Sequence, residues 1–155
     1  YAEASTALLE SLRIRTAIYG DGNHHPDIAS VLQELGRASR GLGDVPLAIE
    51  YFERQRDVLG HLFDALRGTS ATATTASSTT KLMQATSTSI SPEQDDQQTI
   101  TNLEQFKGIT EARISNLGWL KTIKREQDDR EGAAELTRKI QELRASLDRR
   151  TELAG

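Results

Sequence analysis

The chain has no cysteine and few aromatics, which make up only 5% of its 155 residues. Without cysteine it forms no disulfide, no thiolate metal site and no thiol nucleophile. That fits a reducing compartment, and a cytoplasmic location is the expectation. No apolar run approaches the ~20 residues that a membrane-spanning helix needs, and no signal-peptide pattern is visible. The chain starts at Tyr1 rather than Met, so it reads as a fragment or a processed piece. A basic surplus is missing too. The formal net charge is -4, whereas nucleic-acid binding needs a basic face to neutralise phosphates. Absent as well are the G-x-S-x-G elbow, the P-loop and the dinucleotide fingerprint. The GLGD at 41–44 has no strand before it, which a phosphate loop requires. No catalytic residue, metal ligand or cofactor is assigned, and an enzyme is not expected. With 36% hydrophobic and 27% charged residues, the composition suits a solvated helical protein with a thin, extended core.

What the chain does have is helical periodicity. Residues 2–19 carry Ala4, Leu8, Leu12 and Ile18 near one face, widened by Ala7 and Ile14. The stretch 20–23 then breaks the helix. Pro26 suits the first turn of the next helix, with Asp27 at its positive end and His25 pushed toward an extended conformation. Ile28, Val31, Leu32, Leu35 and Leu42 follow at helical spacing, with Gly36 among them. A glycine inside a helix costs ~1 kcal/mol relative to alanine, so Gly36 should have a packing reason, such as close approach of another helix. After a short turn at 41–44, a third helix starts near Pro46. Its apolar stripe is Ala48, Ile49, Phe52, Leu59, Leu62, Phe63 and Leu66.

From Thr69 to Ser91 serine and threonine dominate, and the stretch 68–95 reads as a flexible linker or insertion. Helical pattern returns near Asp96 and runs to Lys124 through Ile100, Leu103, Phe106, Ile109, Ile114, Leu117, Leu120 and Ile123. Gly108 is expected to divide it. A charged turn, KREQDDREG, leads to a last helix over about 132–151 with Leu136, Ile140, Leu143 and Leu147. That seam is too short for a coiled coil. The expected divisions are 1–67, 68–95 and 96–155.

An internal repeat is present. Ala7-Leu8-Leu9-Glu10, ending at Ile18-Tyr19-Gly20, is echoed by Ala48-Ile49-Glu50-Tyr51, ending at Val58-Leu59-Gly60. LQELGRASRGLGDVPLAIEYF resembles a tetratricopeptide repeat. Leu35 and Gly36 sit on its first helix, Gly43 and Asp44 at the turn, Ala48 and Phe52 on its second. With NHHPDIA before it, the segment resembles the longer repeats of the kinesin light chain and nephrocystin type. The likeness covers about 4–63. It is weaker over 112–147, where Asn116-Leu117-Gly118 and Ala133 or Ala134 match but the turn reads about three residues too long.

The resemblance implies an all-α fold of antiparallel helix-turn-helix repeats, stacked as a short solenoid. Leu35, Gly36, Ala48, Phe52, Leu117 and Gly118 are then the packing positions. It also implies a concave groove lined by positions near Ser30, Gln33, Arg37 and Arg40, with Asn116 in the second repeat. Glu34 departs from the family's asparagine, so its bond to a bound peptide backbone is expected from Asn116 alone. Arg37 and Arg40 lie on one helical face, which reads either as a plain solvated polar face or as one that receives an acidic or carboxylate-bearing peptide.

Other clusters have plainer readings. His24, His25 and Asp27 are residue types of a metal or acid–base site, but adjacent histidines chelate poorly and no third strong ligand is close. A helix start is the better reading. Asp95-Asp96 and Asp128-Asp129 lack the glycine-punctuated pattern of a calcium loop and read as solvated charge. Trp119 either anchors a partner or packs between helices. The expected function is a scaffold or adaptor binding a peptide or partner helix. The alternatives are the sensor array of a larger nucleotide-binding regulator, or a structural subunit that stacks in a large assembly through its Leu136–Leu147 seam.

Overall fold

The computed structural model describes the backbone of residues 2–20, 24–75 and 92–154, and the side chains of 2–20, 24–67 and 100–153. Among the described residues every regular element is an α-helix. They are α1 (Ala2–Tyr19), α2 (Pro26–Gly41), α3 (Val45–Thr75), α4 (Pro92–Glu126) and α5 (Arg130–Ala154). Each helix packs on the next in sequence. No helix among them is long and apolar enough to cross a membrane.

The start of α2 is built by local chemistry. His25 is its N-cap in an extended conformation, and its Nδ1 accepts the Asp27 N–H. Tyr19 stacks on the His25 ring at 3.8 Å and its hydroxyl donates to Asp27. Arg15 pairs with the same carboxylate at 3.4 Å. The HPD stretch thus ties the end of α1 to the start of α2. Tyr19, Leu8 and Leu12 pack on Ile28, Val31, Leu32 and Leu35. Ile18, expected on that face, is instead 69% exposed, because Tyr19 takes the inward position beside His25.

Two tight turns follow one plan. After α2, Gly43 takes a positive φ of 83°, and the Asp44 N–H reaches the Ser39 carbonyl. Asp44 then caps α3 by accepting the Leu47 N–H. After α4, Asp128 takes φ 58° and the Asp129 N–H reaches the Lys124 carbonyl. Asp129 caps α5 by accepting the Gly132 N–H. Both patterns close the helix through a left-handed residue and open the next with an aspartate. The second turn is therefore not longer than the first. Counting from the turns, Leu35 corresponds to Leu120 and Ala48 to Ala133, so the Leu117-Gly118 match sits about one helical turn out of register.

Asp129 links this turn to pH. The Lys124 ammonium holds its carboxyl below the usual carboxylate range, helped by the Gly132 N–H. A carboxyl depressed in the folded state stabilises fully above its ordinary value of 3.8 and loses that effect as pH falls through the lowered value. Asp129→Asn keeps a cap oxygen but not the charge. Its melting temperature should lie below wild type at pH 7, and the gap should close under strongly acid conditions. An unchanged gap would contradict the assignment.

Helix α3 is the shared wall of the molecule. Tyr51 joins the α1–α2 core, while Ala48 and Phe52 join a second core with Leu117, Leu120, Ile123, Leu136 and Ile140. The α4–α5 hairpin therefore packs directly on α3. Gly36 explains the closeness of α2 and α3. A Cβ there would lie 2.8 Å from the Phe52 ring.

Helix α3 continues to Thr75, past the expected linker boundary at 68, and α4 begins at Pro92, where proline suits a first turn. Residues 76–91 of the Ser/Thr stretch lie outside the described residues. Helix α4 also runs unbroken through Gly108. A Cβ at Gly108 would meet nothing within 4 Å. Gly108→Ala should therefore raise stability by about 0.5–1 kcal/mol in urea unfolding, through helix propensity and a less flexible unfolded chain. A destabilised variant would show that Gly108 has a packing role.

Candidate interaction surface

Helices α2 and α4 run side by side across α3, and the space between them is filled at one end and open at the other. At the filled end stands Trp119, parallel to Phe52 with ring centres 5.9 Å apart. The guanidiniums of Arg37 and Arg40 lie 5.9 and 5.4 Å from its ring centre. Arg40 also pairs with Glu126 of α4, and Arg37 with Glu34 at 3.1 Å. Cation–π and ionic contacts thus clamp α2 to α4 here.

Toward the start of α2 the two helices leave a cleft of about 570 Å³. Ala29, Ser30 and Gln33 form one wall, and Gln105, Ile109 and Ala112 the other. The floor is α3, with Leu59, Leu62 and Leu66. Apolar lining with a few convergent amides is the usual make-up of a ligand cleft.

A chain of amides runs beneath it. Asn116 Nδ2 donates to Gln55 Oε1 and to the Phe52 carbonyl, both at 2.8 Å. Gln55 Nε2 in turn donates to Gln33 Oε1 at 3.1 Å. The carbonyl can only accept, so the Asn116 nitrogen must face it. Gln55 and Asn116 are almost completely buried, whereas Gln33 opens to the cleft. The network fixes α2, α3 and α4 relative to one another and orients the Gln33 amide at the cleft wall.

Of the expected groove residues, Ser30 and Gln33 line the cleft. Arg37 and Arg40 lie beyond it, already engaged by carboxylates and Trp119. Asn116 does not face the cleft at all. It is fully buried and its donors point into α3. Among the packing positions, Leu35, Gly36, Ala48, Phe52 and Leu117 are buried. Gly118 is only half-buried, and a Cβ there would meet nothing within 4 Å. Asp95 and Asp96 fall near the start of α4, and their side chains lie outside those described.

Gln55, Gln105 and Ala112 complete the site without having been singled out, and Ile109 had been read only as part of the apolar pattern of α4. Gln55 had a readable signal. It is a polar residue between Phe52 and Leu59 on an apolar helical stripe, where a buried amide needs a partner. Comparison with family models, curated proteins and solved structures gave no match to this chain.

Proposed function

We propose that the chain is a protein–protein interaction module, a short solenoid of tetratricopeptide-type hairpins that acts as a cytoplasmic scaffold or adaptor rather than as an enzyme. A peptide or partner helix lies in the cleft between α2 and α4. The observation that supports this most is the cleft itself, an apolar trough with amides on both walls and a leucine-lined floor. Apolar side chains of a partner would sit on Leu59, Leu62 and Ile109, and its polar groups would meet Gln33 and Gln105.

Gln105 is exposed on the wall, so Gln105→Trp should fill the cleft without disturbing the core. Wild type should retain a cytosolic partner that Gln105→Trp loses, with an affinity for the purified partner reduced at least roughly tenfold. Circular dichroism must first show equal helix content. Equal affinity would move the binding surface elsewhere.

A second reading, a subunit that stacks in a larger assembly, has one supporting observation. Ile14 and Ile18, one turn apart on α1, are 46% and 69% exposed. Concentration-dependent sedimentation, lost in Ile14→Glu, would favour it.

A further inference from the structure

A second cleft, of about 480 Å³, lies between α3, α4 and α5 and shares no lining residue with the first. Its lining is cationic, with Arg56, Arg67, Arg113 and Lys139 against a single acid, Glu142. The chain as a whole is negative, so this is a local reversal of sign.

The cations fall into two kinds. Arg56 and Lys139 have carboxylates nearby, Asp57 at 3.6 Å and Glu135 at 2.6 Å, while Glu142 is taken by Arg138 at 3.7 Å. Arg67 and Arg113 have no carboxylate within ion-pair distance among the described residues. They lie instead on one aromatic ring, Phe63, at 5.9 and 4.4 Å. Phe63 rests on Phe106 at 5.0 Å, whose other neighbour is the Arg150 guanidinium at 3.9 Å. Three guanidiniums thus surround a pair of phenylalanines. Burial lowers the proton affinity of Arg113 most. Asp64 works against this and repulsion from Arg67 adds to it. Holding a partly desolvated cation beside a like charge is unfavourable unless an anion completes the set.

We propose that this cleft binds an acidic peptide segment of a partner protein, one that carries apolar residues between its carboxylates. The carboxylates answer the arginines, whose planar forks match them bidentately. The apolar residues answer Phe63, Leu136 and Leu143 on the same lining. Arg56 and Arg67 lie three turns apart on α3, roughly 16 Å along its axis. That span fits a row of carboxylates and exceeds a single phosphate group.

The test is fluorescence anisotropy with a labelled peptide of repeating Glu-Glu-Leu, and with its Gln-Gln-Leu counterpart. Wild type should bind the acidic peptide and not the amide one, more weakly as salt rises. The exposed Arg67→Glu should weaken binding by roughly tenfold or more, because it sets like charges together. Arg113→Gln should also weaken it, whereas Gln105→Trp, in the other cleft, should leave it unchanged. Unaltered binding to Arg67→Glu would overturn the proposal. Absence of binding by wild type would do so too. Full competition by inorganic pyrophosphate at equal affinity would make this a small-anion site instead.

Discussion

Asn116→Asp is expected to be among the most damaging single-atom-scale changes in the molecule. The amide nitrogen of Asn116 faces two acceptors, the Phe52 carbonyl and Gln55 Oε1. A carboxylate there would bring oxygen against oxygen, with no water to screen it. The cost is about 3 kcal/mol or more, a large share of the stability of a small domain. Asn116→Ala should cost less, about 2 kcal/mol, because it leaves the Gln55 Oε1 acceptor without its donor but adds no charge. The aspartate variant carries its own check. Its carboxyl should be raised in the folded state, since the neutral acid can donate where the anion cannot. An acid raised on folding is tolerated below its unfolded value and penalised as pH rises above it. Its stability deficit against wild type should therefore shrink toward acid pH. A deficit independent of pH, or below ~1 kcal/mol at neutral pH, would show that the amide chain does not hold the three helices together.

Phe52 is the other centre of large effects. It is fully buried, packs in the α3–α4–α5 core, stacks on Trp119 and lies under Gly36. Phe52→Ala should cost about 3–5 kcal/mol by urea unfolding. Gly36→Ala sets two effects against each other. Helix propensity favours alanine by up to ~1 kcal/mol, but the added carbon would lie 2.8 Å from the ring. Overpacking of that kind costs about 1–3 kcal/mol, so the net result should be a loss. Combining Gly36→Ala with Phe52→Leu should lose less than the sum of the two, because the smaller side chain makes room. A stabilised Gly36→Ala would contradict the close approach of α2 and α3.

The helices were readable wherever their apolar residues repeat on one face and a cap or breaker bounds them. Pro26, Gly43 and Asp44 marked α2 and the start of α3, and Gly36 marked their close approach, which falls on Phe52. The α4–α5 turn was not readable as a match. Its left-handed position is Asp128 where the first turn has glycine, so the charged run hid a turn of the same plan. Gly108 looked like a breaker because propensity counts against it, yet its neighbours carry the helix past it. The cleft was half legible. The resemblance to a tetratricopeptide repeat led to Ser30 and Gln33 on α2, but which residues of α4 stand opposite depends on how the hairpin leans on α3. That lean rests on Asn116 and Gln55, which meet across a long separation in sequence. Spacing on one helix also does not show that Arg37 and Arg40 are already held by Glu34, Glu126 and Trp119.

The decisive region is the cleft between α2 and α4. Once a partner is identified by capture on the wild-type chain, hydrogen–deuterium exchange of the chain with and without that partner locates its footprint. A partner seated in the cleft should slow exchange over residues 26–33 and 105–112, on both walls, with no such change in Gln105→Trp at the same partner concentration. Protection confined to α1, or to the far face of α5, with these two segments unchanged, would contradict it.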